Sequence, residues 1–184
     1  MENVVNQDDK LIATLNETDV ATEQLTQIAD QIVQSYSYTL DNLMQRIYQD
    51  IVSNKDSSDQ TLEKYFLELS STLYFIGEQV EHLGISNDYA EANFKEKFNR
   101  AYLNCAAEKD EKGKSLRTVN ENNALAAENS KYESTVSNLQ SRALDLLKYK
   151  VTSAQTMVGT LSKMISKKMS DASLTMTSSR GTAE

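Results

Sequence analysis

Residues 62–83 read LEKYFLELSSTLYFIGEQVEHL. The apolar positions Leu62, Phe66, Leu69, Leu73, Ile76, Val80 and Leu83 alternate steps of four and three, the repeat that gathers side chains into one stripe along an α-helix. A stripe of that period packs against another helix. The fold class that follows is all-α, an elongated helical hairpin or bundle.

The neighbouring segments extend this reading in both directions. Upstream, Ala21, Leu25, Ile28, Ile32, Tyr36, Leu40, Leu43, Ile47 and Ile51 form one continuous face of a first helix, expected to start near Thr18 and Asp19. The polar residues 1–17 read as a flexible arm. Between the two helices, the run from Ser53 to Asp59 has the composition of a turn, with Asp59 as N-cap. Downstream, Gly84 can close the second helix in the left-handed conformation, and Ser86 can cap a third that buries Ala90, Phe94, Phe98, Ala101 and Cys105. The charged tract from Glu108 to Lys114, with Gly113 in it, ends that helix.

Thr118 and Glu121 have the spacing of a capping box, in which each side chain satisfies a free amide of the first turn. Behind it, Leu125, Tyr132, Val136, Leu139, Ala143, Leu147, Val151, Ala154, Val158, Leu161 and Ile165 predict a coiled-coil-like C-terminal helix of about 50 residues and about 75 Å. Asn129 falls on its seam, as a register-setting polar residue or a break in packing. The Ser- and Thr-rich residues 172–184 read as a disordered tail, which leaves 18–171 as a single helical domain.

Composition agrees with long helices. Among 184 residues there is no proline and no tryptophan, with five glycines and four phenylalanines, so strand and turn punctuation is scarce and a narrow seam is better supplied than a wide core. One cysteine, Cys105, excludes an intrachain disulfide framework and reads as a small buried hydrophobe. The start Met1, Glu2, Asn3 lacks the basic flank and apolar core of a signal peptide, and no window reaches the roughly 20 apolar residues of a membrane span. The expected location is cytoplasmic, including a host cytoplasm or a virion.

Net charge is −8, but residues 141–184 hold seven basic side chains against three acidic ones. A basic terminal third can face phosphate even when the whole chain is acidic. Arg142, Lys148, Lys150, Lys163, Lys167 and Lys168 are its candidate nucleic-acid contacts. Tyr149, between Lys148 and Lys150, is a candidate platform for stacking a single-stranded base; the other reading is a solubilising face that complements the helix C-terminus. The other helical tyrosines, Tyr36, Tyr38, Tyr48, Tyr65, Tyr74, Tyr102 and Tyr132, read mostly as seam residues with a wet hydroxyl.

Enzyme chemistry has little material. His82 is the sole histidine and Cys105 the sole thiol, short of the four ligands of a closed zinc site; His82 reads as a helix-terminal residue. No glycine-rich phosphate loop exists. Glu78 with Glu81, and Glu108 with Glu111, are two ExxE pairs that can hold Mg²⁺ if a turn brings them together. In this they resemble the all-α nucleoside triphosphate pyrophosphatases, although Glu108 and Glu111 also read as a solvated helix end. The expectation is a protein that is not an enzyme and carries no cofactor or metal.

The segment 131–168, KYESTVSNLQSRALDLLKYKVTSAQTMVGTLSKMISKK, resembles the C-terminal helix of phage recombination mediators of the T4 type. That resemblance implies a helical hairpin followed by an oligomerising helix, and a role in helping a recombinase displace single-strand-binding protein. The family's basic, glycine-containing loop is only loosely matched by the run from Lys109 to Arg117. Two functions follow as expectations. One is a phage-type accessory protein that binds single-stranded DNA, assists recombination or replication and forms homo-oligomers. The other is a structural or scaffolding coiled-coil protein, a virion, secretion or adaptor component with helical protein partners. Oligomerisation is expected through Leu62, Phe66, Leu69, Leu73, Ile76 and Val80, and through Leu147, Val151, Val158, Leu161 and Ile165. The feature that separates the two is whether the six cations form one continuous exposed stripe.

Overall fold

The computed structural model describes the backbone of residues 2–55 and 58–180 and the side chains of 22–55 and 58–173. Among the described residues the chain is all-α: α1 (Glu2–Ile47), a π-helical segment (Tyr48–Ser53), α2 (Asp59–Ala107), α3 (Val119–Asn129) and α4 (Lys131–Arg180). One isolated bridge, Lys109 with Ser115, is the nearest approach to sheet.

Several helix ends differ from those expected. α1 starts at Glu2, not near Thr18, because no proline or glycine stands in residues 1–17 to stop it. The cap of α2 is Ser58, whose Oγ accepts from Thr61 N–H at 3.3 Å; Asp59 falls in the first turn, where a carboxylate suits the positive end of the helix dipole. Gly84 does not end this helix. It has no left-handed φ, and α2 passes through it to Ala107, so no separate helix begins at Ser86. Burial of Leu83 on one side and Ala90 on the other outweighs the roughly 1 kcal/mol that a mid-helix glycine costs. At the other end α4 runs past Ala172 to Arg180. At the start of that stretch Ser170 Oγ donates to Ser166 O and Ser173 Oγ to Ser170 O, hydroxyls satisfied by the helix's own carbonyls rather than competing with it. The rest of the expected tail, residues 181–184, lies outside the described residues.

The long C-terminal helix divides near Asn129. Thr118 and Glu121 form a complete capping box at the start of α3. Ser130 then leaves helical geometry at φ −111°, ψ 13°, buried, with its Oγ donating to Ala126 O at 2.7 Å. A side chain bonded into the carbonyl ladder is a recognised cause of helix kinks.

The chain forms two compact units, one of Met1–Val33 with Leu83–Leu144 and one of Gln34–His82 with Asp145–Glu184. The first has a core in which Val33, Leu83 and Leu144 are buried with the small side chains Ala90, Cys105, Ala126 and Ala143. Its connection 108–118 is an ordered turn. Asp110 Oδ1 accepts from the N–H groups of Lys112 and Lys114 at 2.9 and 2.8 Å, Gly113 supplies the left-handed φ of 77°, and Arg117 pairs with Glu108 at 2.7 Å.

The second unit is a three-helix bundle. Arg46 approaches Glu68 and Asp50 meets Tyr65, so α1 and α2 run antiparallel. Lys168 pairs with Asp59, and Ser162 and Ile165 lie by Phe66 and Leu67, so α4 runs antiparallel to α2 and parallel to α1. Leu40, Leu43, Ile47, Leu62, Leu69, Ile76, Leu147 and Leu161 are buried between them, each contributing about 2 kcal/mol of transfer free energy. The two stripes expected to drive oligomerisation therefore face inward: Leu62, Leu69, Ile76, Leu147 and Leu161 are buried, and Phe66, Leu73, Val80, Val151, Val158 and Ile165 half-buried, within a single chain.

Candidate helix-binding surface

α4 carries most of the basic residues of the second unit, and its inward and outward sides treat them differently. At 100° per residue, Lys148, Tyr149, Lys163 and Lys167 cluster around the outermost line of the helix, opposite Ala154 and Leu161, and all four are exposed. Lys150 and Lys168 lie on the inward side. Lys150 Nζ donates to Asp41 Oδ2 at 2.6 Å and to Ser37 Oγ at 3.2 Å, and Lys168 Nζ is 3.1 Å from Asp59 Oδ1. Arg142, exposed, belongs to the first unit. The six cations thus do not form one stripe. Tyr149 keeps Lys148 beside it on the outer face and loses Lys150 to the interior.

Between Tyr149 and Lys163 the outer face is small and neutral. Thr152, Thr156 and Thr160 each donate their hydroxyl to the carbonyl four residues back, at 3.0 Å, so these protons are already engaged. Gly159 completes the strip, with open space where a Cβ would stand.

α2 has the opposite character. From 59 to 82 it carries five acidic residues and one lysine. Leu67 and Tyr74 stand exposed at 66% and 80% on the side away from Leu69 and Ile76; Phe75 is also exposed and meets the Tyr74 ring edge to face at 5.3 Å. Glu63, Glu78 and Glu81 flank them, all exposed. Helical periodicity does not mark these apolar residues for binding; their signal in the sequence is that, with Tyr65, they are the large apolar side chains of 62–83 that fall off the repeat of four and three. All nine tyrosines are helical; only Tyr65 is buried, whereas Tyr38, Tyr48, Tyr74, Tyr89, Tyr132 and Tyr149 are exposed.

Tyr65 is held where the π-helical segment widens the end of α1. Its hydroxyl donates to Asp50, and this bond, with burial, pushes its pKa up to about 12.

The remaining candidates do not assemble into a reaction centre. His82 lies inside α2, not at its end, and is exposed with Nε2 3.7 Å from Glu78. Glu108 is engaged by Arg117. Among the described residues no group of three or more His, Cys, Asp or Glu side chains gathers to hold a metal ion. Two shallow clefts of about 360 and 320 Å³ open in the second unit, one between α1 and α2 around Tyr36 and Phe75, the other between α2 and α4 around Phe66 and Ile165, with Glu63, Leu67, Ser162 and Ser166 at its walls. Among the described residues no helix is long and apolar enough to cross a membrane.

No family model, curated protein or solved structure matches the chain.

Proposed function

We propose that this protein is a non-enzymatic scaffolding or adaptor component whose ligand is another helix. The observation that carries this reading is the outer face of α2, where Leu67 and Tyr74 stand two turns apart in solvent among Glu63, Glu78 and Glu81. Large apolar anchors within a charged rim are the composition of a helix-recognition surface. A photoreactive residue replacing Ser71, which lies between the anchors, should crosslink to a helical segment of a protein in cells that express the chain, and Leu67→Asp with Tyr74→Asp should abolish the product. Crosslinks to nucleic acid alone, or none, would overturn the reading.

A second reading rests on the outer face of α4. Lys148, Lys163 and Lys167 with Tyr149 offer three phosphate contacts and one ring to single-stranded DNA, as a recombination accessory acting with a recombinase would require. Since Lys150 and Lys168 have carboxylate partners, the salt dependence of such binding should correspond to about three contacts, a log–log slope near 2 rather than 4. Titration of labelled single-stranded DNA at several ionic strengths measures it.

A further inference from the structure

We infer that the helix bound by the outer face of α2 is the outer face of α4 in a second copy of this chain, paired in parallel. This rests on the helix-binding reading above and names its partner.

The two faces carry opposite charge at the same spacing. Glu63 and Glu78 on α2 are fifteen residues apart, as are Lys148 and Lys163 on α4, about 22 Å of helix in each case. Setting Glu63 against Lys148 in a parallel register sets Glu78 against Lys163 and Glu81 beside Lys167. The same register places Leu67 opposite Thr152, and Tyr74, the most exposed large apolar residue among the described residues at 80%, opposite Gly159, where nothing occupies the space a Cβ would take. A large side chain meets a bare backbone, and each carboxylate meets an ammonium. Lys64 falls opposite Tyr149, a cation over a ring. The antiparallel alternative also matches the two end charges but sets Tyr74 against Thr152.

Both faces belong to the second unit, where α4 runs antiparallel to α2, with Lys168 beside Asp59 and the α2–α4 cleft lined by Glu63, Leu67, Ser162 and Ser166, so one chain cannot form the parallel pair with itself. The contact is heterologous, α2 of one copy on α4 of the next. Such contacts generate rings or open chains, not a closed dimer. They also weaken with salt, because their ion pairs are solvent-exposed.

Sedimentation of the full chain at low ionic strength should show a concentration-dependent series of species that shrinks as salt is added. One variant, Glu63→Lys, Glu78→Lys and Glu81→Lys, makes both faces basic; a second, Lys148→Glu, Lys163→Glu and Lys167→Glu, makes both acidic. Each alone should associate about tenfold more weakly or not at all, and an equimolar mixture should regain association, because each reversed face then meets its complement. All six positions are exposed, and circular dichroism checks that the helices persist. Tyr74→Cys mixed with Gly159→Cys should give an intermolecular disulfide that fixes the register.

Wild-type protein that stays monomeric at high micromolar concentration and low salt overturns the pairing, and the helix-binding reading then rests on the crosslink at position 71. Association that survives both charge reversals but disappears in Leu67→Asp, Tyr74→Asp overturns the α4 partner and leaves that reading standing. Binding of single-stranded DNA by α4 without self-association also overturns it.

Discussion

Lys150 of α4 reaches Asp41 of α1, Nζ to Oδ2 2.6 Å, across 109 positions of sequence. Buried Ser37 completes the cluster, donating to the same Asp41 oxygen at 2.7 Å. The ammonium is thus a bundle contact, and its neighbour Lys148 remains outside.

Lys150→Ala should therefore destabilise the protein by about 1–2 kcal/mol, since Asp41 and Ser37 lose a charge-assisted partner in a partly buried site. Lys148→Ala should fall within about 0.5 kcal/mol of wild type, as surface substitutions do. Urea denaturation of the two variants compares them. Equal effects would contradict the division of α4 into inward and outward lysines.

Gly77 and Gly84 sit in the interior of α2, and a Cβ added at either meets no atom within 4 Å. Alanine at each should raise stability by about 0.5–1 kcal/mol, by reducing the freedom of the unfolded chain without straining the helix. A fall in melting temperature for Gly84→Ala would mean that this residue needs a backbone conformation other than the helical one.

The capping box at the start of α3 gives an acid-side signature. Backbone and side-chain hydrogen bonds from Thr118 hold the Glu121 carboxyl below its ordinary value of 4.5. A depressed carboxylate adds stability above its unfolded pKa and loses it as the pH falls through the folded one. Thr118→Ala should cost about 1 kcal/mol at neutral pH and should reduce the loss on acidification, measured by thermal melts across the acid range.

On the alkaline side, Tyr65 should titrate late. With its pKa raised from about 10 to about 12 by the bond to Asp50 and by burial, the folded state keeps a proton that the unfolded chain releases. Stability from this group is complete below pH 10 and declines as the pH rises towards 12. Tyr65→Phe should remove that part of the decline and cost about 1 kcal/mol at neutral pH through the lost hydrogen bond. Ultraviolet titration should find one tyrosinate in the wild type forming later than the rest.

The helices and their buried sides are decided locally, and the sequence by itself determined them. A repeat of four and three puts Leu62, Leu69 and Ile76 on one side of a helix in any helical context, and the box of Thr118 and Glu121 involves only residues three apart. Helix ends and charge assignments required tertiary structure. Gly84 can terminate a helix or lie within one, and the choice depends on what Leu83 and Ala90 bury against. Ser130 kinks the C-terminal run because its buried hydroxyl finds the Ala126 carbonyl. Lys148 and Lys150, two positions apart, differ by about 200° around α4; which of them faces solvent follows from where α1 places Asp41 and Ser37, a relationship between distant segments that no local pattern records.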